Sequence, residues 1–379
     1  MVKSDEPGSV SSTLHEQLNE RLRAAIAASG GWLPFDRFMA IALYEPGLGY
    51  YARDARQFGR MPSSGSDFVT APELSPLFGR TLARQVAQAL QATGTREVFE
   101  FGAGSGALAL QLLTALDEAA ADEGAAPCGV AYRIVELSAA LRERQQQTLA
   151  AFGERVRWLD VLPERIEGVV VGNELLDALP VQLLHFDGTQ WFERGVALQE
   201  ERLAWADRPT GLRPPGDHRF RPGAVTEIHP QSEAFVRTLA ARLVRGAAFF
   251  IDYGFPEHEY YHPQRHGGTL MCHRAHRADT EPLVEVGEKD ITAHVDFSAV
   301  ALAAQDAGLH VLGYTSQARF LLNCGLPALM AASDARSQVQ AQPLIQEHEM
   351  GELFKVLGLA AGAPFDALGF TTGDRSHTL

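Results

Sequence analysis

The chain reads as an α/β protein built on a mostly parallel sheet with helices on both faces, and three features of its sequence say so. From residue 95 onward, apolar runs suited to buried strands alternate with helical segments. Glycines gather where the first of these strands meets its helix, in "VFEFGAGSGALAL". Acidic residues follow the ends of successive strands, the place where an open α/β sheet collects its ligands.

Composition sets the limits. A chain of 379 residues, 46% hydrophobic, has the material for about two domains or one elaborated domain. Its 47 acidic and 33 basic residues leave a formal net charge of -14, which repels nucleic acid and anionic membranes. Cys128, Cys272 and Cys324 lie far apart, so neither a disulfide framework nor a thiolate metal site is expected. The first residues carry no apolar signal region, and no apolar run reaches the ~18 residues of a membrane span. A cytoplasmic protein without membrane insertion is the expectation.

The elements follow in order. Residues 1–94 form a helical N-terminal region. Thr13 and Glu16 make a capping box ahead of Leu14, Leu18, Leu22 and Ile26, and Gly30-Gly31 ends that helix. Pro34 opens a second helix through Phe38 and Leu43, and a long ordered loop, "YEPGLGYYARDARQFGRMPSSGSDFVTAPE", comes after it. Ser75 caps and Pro76 starts a third helix, closed by Gly94.

Residues 95–379 hold the core, whose strands are "REVFEF", "AYRIVEL", "RVRWL", "GVVVG", "AAFFIDYG" and "LHVLGYT", with "FDALGF" expected as the last. Insertions are expected at about 181–228, 255–296 and 317–362. The first contains a hairpin signalled by Asp187-Gly188 between alternating apolar runs.

Gly102, Gly104 and Gly106 let the backbone approach a ligand and bare the amides of a helix N-terminus. Read as G-x-G-x-x-A the bend suits a dinucleotide; read as E-x-G-x-G-x-G it suits S-adenosylmethionine, with Glu100 reaching the ligand's cationic end. The second reading is preferred, because Glu136 ends the next strand later than the ~20-residue offset of a dinucleotide site. Glu136 would take both ribose hydroxyls. Leu159 and Asp160 end the third strand, where Asp160 or the adjacent backbone would meet the adenine amino group.

"VVVGNELLDALP" then stops a buried strand at Gly172 and sets Asn173, Glu174 and Asp177 within one helical turn over the cofactor. Carboxylates there suit a guanidinium, which is charged, delocalised and poorly nucleophilic until it is held bidentately. The alternative is that Glu174 and Asp177 only complement a helix dipole. His294 and Asp296, in "TAHVDF", would be a base facing the crevice and its partner, unless Asp296 simply caps the following helix. Tyr50, Tyr51, Tyr253, Tyr260 and Tyr261 offer an aromatic wall for a cation. His262, His266, His273 and His276 cluster with Cys272, but their spacing matches no common zinc site, and no metal is expected.

These pieces together resemble the MidA-like family of S-adenosylmethionine-dependent methyltransferases of bacteria and mitochondria. The resemblance runs from about Leu33 to Phe370 and is carried by "YEPGLGYY", "SDFVTAPELSPLFG", "EFGAGSGALA", "GNELLDALPV", "IDYGFP", "GGTLMCHRAH" and "DITAHVDF". It implies a class I, Rossmann-like methyltransferase with a seven-stranded, mostly parallel sheet, a helical N-terminal region and inserted lid segments. It implies S-adenosyl-L-methionine as cofactor and S-adenosyl-L-homocysteine as product.

The loop with Asp67, Phe68, Thr70 and Glu73 is implied to fold over the cofactor. Gly102, Gly104, Glu136, Asn173 and Glu174 carry over to cofactor binding, while Glu174 and Asp177 are expected to contact the acceptor. Family members include a protein arginine methyltransferase linked to respiratory complex I assembly, so an arginine-containing or basic protein segment is the expected partner. The alternatives are an assembly protein that binds the cofactor without turnover, or transfer to a small molecule or a non-arginine group.

Overall fold

The computed structural model describes residues 7–53, 69–122 and 129–379. Seven strands form the main path of the central sheet: β1 (Glu97–Phe101), β2 (Ala131–Val135), β3 (Val156–Leu159), β4 (Ile166–Asn173), β5 (Leu243–Phe255), β6 (His310–Ser316) and β7 (Phe354–Ala361), and the two-residue strand Val295–Asp296 pairs with the end of β5. Their order across the sheet is β6-β7-β5-β4-β1-β2-β3. The β3, β2, β1, β4 and β5 neighbours pair in parallel, whereas β7 runs antiparallel between β5 and β6. This is the seven-stranded, mostly parallel arrangement of a class I methyltransferase. The order changes direction between β1 and β4, which places the glycine bend after β1 beside the turn after β4.

Alternation along the strands explains why both faces are covered. In β4, Val169 and Val171 pack into one core with the helices Pro76–Thr93 and Ala107–Asp122, while Val170 packs into the other with Pro230–Arg242 and Phe297–Asp306. Ser75 caps the first of these helices through the Leu77 amide, and Gly94 closes it at φ 64°. Asp296 caps the last, accepting from the Ser298 and Ala299 amides.

The seventh strand differs from the sequence expectation. "FKVLGLAA", inside the segment 317–362 expected as an insertion, fills the gap between β5 and β6. "FDALGF" ends in a short 3-10 turn, Leu368–Phe370, and the Phe370 ring fills the space over Gly313 and Gly358. An apolar run can enter a sheet as a strand or plug it as a side chain; pairing with two distant strands decides which.

A second layer is antiparallel. Gln182–Phe186, Trp191–Gln199, Arg202–Pro209, Ala224–Ile228 and Leu33–Pro34 form a five-stranded sheet, with Asp187 and Gly188 (φ 106°) in its hairpin turn. The helices Pro7–Ala28 and Phe35–Tyr44 bury Leu18, Leu22, Ile26 and Phe38 in the same core as Leu183 and Val196 of that sheet. The first of them starts at Pro7, ahead of the Thr13–Glu16 box, because proline suits the first helical position. A three-stranded sheet, Met271–Arg274, Arg277–Asp279 and Asp290–Thr292, packs against this unit through Cys272 and Ile291. No helix among the described residues is long and apolar enough to cross a membrane.

Candidate active site

A cavity of about 930 Å³ opens at the carboxyl ends of β1, β2, β4 and β5 and extends under the inserted layer. Its first end is the glycine bend. Gly102, Gly104 and Gly106 sit at φ 67°, 53° and 84°, a left-handed conformation that strains other residues. Gly102 and Gly104 line the cavity. Gly106 does not: a Cβ there would meet Gln145 Cα and Thr148 Cβ at an ordinary contact distance of 3.5 Å, so the φ of 84° and not a lack of space calls for glycine.

Glu136 lines the same end, its Oε1 accepting from the Ser138 amide at 2.8 Å and its Oε2 from Gln145 Nε2 at 2.9 Å. Gln145, fully buried, also donates to Gly104 O at 2.9 Å and accepts from Trp158 Nε1 at 2.8 Å. It ties the bend, Glu136 and β3 together, and nothing in a helix rich in Arg and Gln singled it out. Glu100 also lines the cavity, takes the Tyr132 hydroxyl at 2.8 Å and is pushed up to about 8 by burial, with the Glu136 charge adding to it. Thr70 and Glu73 line the cavity, and Ser105 of the bend donates to Glu73. Asp67 and Phe68 lie outside the described residues.

Leu159 and Asp160 are not brought to the cavity. Asp160 pairs with Arg142 at 2.7 Å in a separate hollow of about 310 Å³ that meets the main cavity at Leu137 and Ala139. Its carboxylate is therefore already engaged by a cation.

The second end is acidic. Asn173, Glu174 and Asp177 line it, but Asn173 ends β4 and the other two lie in the tight turn after it, not in a helix. Pro180 disfavours helical geometry at Leu179, and Glu174 stands at φ 52° with its amide bonded to Ile251 O at 2.9 Å. Asp252 accepts from the amides of Leu175, Leu176 and Asp177 at 3.0, 2.7 and 3.3 Å. Gly172 lets the turn fold back, since a Cβ there would lie 2.9 Å from Leu175 Cδ2 and 3.0 Å from Phe250 Cδ1. Asp290 of the inserted three-stranded sheet lines the same cavity and takes the Tyr51 hydroxyl at 2.8 Å. It is the first residue of "DITAHVDF", in which the sequence had pointed to His294 instead.

Electrostatics set this end apart. Burial and then the Asp252 charge push Glu174 up to about 8. Burial, followed by Asp252, Asp290 and Glu174, holds Asp177 well above the usual carboxylate range. The leading charges acting on both groups are other carboxylates, so a cation entering here is favoured over water. Tyr44, Tyr51 and Tyr253 close the space, the first two stacked with ring centroids 5.6 Å apart, and burial keeps all three hydroxyls protonated. Asn173 donates from Nδ2 to Glu174 at 3.0 Å, while its Oδ1 is buried with no protein partner. An orphaned acceptor in a cavity wall is a place for a ligand donor.

Other expectations fall away from the cavity. His294 is not in its lining; the ring stacks on Phe255 at 5.2 Å, and burial together with Arg265 and Lys355 pushes it down to about 4. Tyr50 is buried in the N-terminal core, and Tyr260 and Tyr261 bond to Glu227, so the aromatic wall is Tyr44, Tyr51 and Tyr253. Of the clustered histidines only His273 lines the cavity, and among the described residues no group of three His, Cys, Asp or Glu side chains is arranged to hold a metal.

A family model described as "Putative S-adenosyl-L-methionine-dependent methyltransferase" matches residues 81–315, the span from the third helix through β6. The chain belongs to this methyltransferase family. A crystal structure of a Burkholderia thailandensis protein bound to S-adenosyl-homocysteine is 52% identical, with each chain covered over 100% and a TM-score of 0.92. Among curated relatives, the zebrafish mitochondrial protein arginine methyltransferase NDUFAF7 is 26% identical over 91% of this chain and 87% of its own. The Drosophila melanogaster homologue is 28% identical over 94% and 88%.

The methyltransferase's cofactor is S-adenosylmethionine, and the residues present fit it. The positive-φ bend exposes backbone, Glu136 is held rigidly beside it, and Asn173, whose buried Oδ1 has no protein partner, lines the same cavity.

Proposed function

We propose that this S-adenosylmethionine-dependent methyltransferase acts on arginine in a protein partner. The observation that carries the reading is the acidic end of the cavity, lined by Glu174, Asp177 and Asp290 together with tyrosines, where burial and neighbouring carboxylates raise the proton affinity of Glu174 and Asp177. A guanidinium supplies the charge this group lacks, stays protonated at any physiological pH and presents a planar fork to paired carboxylates. The names of the NDUFAF7 relatives support the same acceptor.

In this reading Glu100, Gly102, Gly104, Glu136 and Asn173 hold the cofactor, which supplies an electrophilic methyl group, and Thr70 and Glu73 close over it. Glu174 and Asp177 hold the guanidinium, turn one nitrogen toward the methyl and take up the proton that nitrogen releases. The resemblance to the MidA-like family extends the proposal to a partner linked with respiratory complex assembly.

The test is incubation with methyl-labelled S-adenosylmethionine and matched peptides carrying arginine, lysine or neither, followed by mass spectrometry. Label on arginine is expected. Label on lysine or on a small molecule, with none on arginine, overturns the acceptor, and tight cofactor binding with no acceptor labelled in a cell lysate overturns the enzyme reading in favour of an assembly role.

A further inference from the structure

Asp252 does not line the cavity, yet it is 1% exposed and has both carboxylate oxygens in use at the end of β5. Oδ2 accepts from the amides of Leu175, Leu176 and Asp177, and Oδ1 from the amide of Tyr253 at 2.9 Å. Successive amides gathered on one carboxylate ordinarily begin a helix. Here no helix follows, so the bonds hold the turn itself.

Both flanks of that turn are fixed as well. The Glu174 amide bonds to Ile251 O, beside Asp252, and Asp177 O accepts from the Ala293 amide at 3.0 Å. Glu174 keeps a positive φ that a non-glycine residue abandons unless its surroundings over-determine it. The direction of each side chain follows from its backbone, so whatever fixes residues 174–177 also fixes where the two cavity carboxylates point.

We propose that Asp252 is a positioning residue for methyl transfer, which acts through the amides of Leu175, Leu176 and Asp177 to set the directions in which Glu174 and Asp177 meet the acceptor. This rests on the reading that those two carboxylates hold the acceptor. Asp252 touches neither substrate nor cofactor; it replaces the missing continuity of a helix with one buried anion.

The variant Asp252→Asn keeps the volume and turns an amide group toward the N–H array. Label transfer from methyl-labelled S-adenosylmethionine to lysate protein is measured per S-adenosylhomocysteine-binding site, alongside hydrogen exchange at residues 175–177. Transfer per site is expected to fall about 100-fold, as a misplacement near 1 Å would cause. Binding of S-adenosylhomocysteine stays within about 2-fold, as for a change without direct contact, and the three amides exchange faster.

Unchanged transfer per binding site, or amides that stay protected, overturns the proposal; a lower melting temperature with unchanged transfer per site has the same meaning. Where Asp252→Asn does not fold, Asp252→Glu keeps the charge and alters the reach, and undiminished transfer by that variant overturns the proposal equally. If the labelled residue is not arginine while Asp252→Asn still loses transfer, the arginine reading falls and the positioning role stands. If arginine is labelled at an unchanged rate, the positioning role alone falls.

Discussion

At the glycine-bend end of the cavity, Glu136 has both carboxylate oxygens engaged, by the Ser138 amide and by Gln145, which itself ties to Gly104 and Trp158. At the other end, burial first and then the charges of Asp252 and Asp290 raise Glu174 and Asp177, with the Glu174 charge adding to Asp177. The first region is a finished hydrogen-bonded cradle made by the parallel core. The second is electrostatically incomplete and is assembled from the core turn after β4, the N-terminal tyrosines and the inserted sheet. A cradle that is complete before its ligand arrives favours tight binding with little reorganisation, whereas a crowd of carboxylates waits for a cation to lower its energy. The contrast fits a cofactor common to many enzymes at one end and an acceptor peculiar to this one at the other.

The sharpest way to break the comparison is to damage each end alone. Asp177→Ala is expected to lower methyl transfer by about 10²–10³-fold, the scale of losing one preorganised charge, while calorimetric binding of S-adenosylhomocysteine is retained. Gly104→Val should do the reverse: a β-branched residue at φ 53° in the cavity wall weakens S-adenosylhomocysteine by about 100-fold, the scale of local backbone strain. Should both variants lose binding and transfer in equal proportion, the two ends are one site and the distinction fails.

A smaller effect sharpens the electrostatic half. Glu174 has a folded-state pKa of about 8, above the value of an exposed glutamate. The folded protein therefore binds a proton that the unfolded chain has released, and this contribution to stability is full at low pH and is lost as pH rises through about 8. Glu174→Gln is neutral at every pH, so it should raise the melting temperature by about 2 °C at pH 8.5 and by almost nothing at pH 4, the scale of a change near 1 kcal/mol. Equal effects at both pH values would mean that Glu174 is not a high-pKa group.

The smallest expected effect concerns His294. Its ring is stacked on Phe255 outside the cavity lining and reaches the site through the Tyr253 ring, 6.0 Å away, so His294→Ala should lower transfer per folded molecule by about 2-fold, the small end of coupling between residues in contact. A loss on the scale of Asp177→Ala would return His294 to the reaction.

Much of the scaffold was legible because it depends on local pattern. Ser75, Gly94, Asp187-Gly188 and the alternation in "VVVG" act over a few residues and sit where periodicity and turn chemistry put them. Gly106, Asp160 and His294 were misplaced because a motif names a position in the chain, while the direction of a side chain depends on what packs against it. Asp252, Gln145 and Asp290 went unassigned because the bonds that tie them to the site reach at least nine residues along the chain, and for Asp252 to the turn and for Asp290 to Tyr51 far more. The last strand was misjudged for a related reason: "FKVLGLAA" and "FDALGF" are both short apolar runs, and only pairing to β5 and β6 separates them.

The order of amino acids by itself determined the parallel α/β core, the glycine bend and the cluster of acid-bearing strand ends, since each follows from short-range periodicity and backbone freedom. Tertiary structure alone decided that Asp290 joins Glu174 and Asp177 around one cavity, that Asp252 holds the turn of the latter two, and that Asp160 and His294 stand aside. The reason is physical: charge repulsion, burial and hydrogen bonding fall off over a few ångströms in space, and the groups that exert them here are separated by tens to hundreds of residues along the chain.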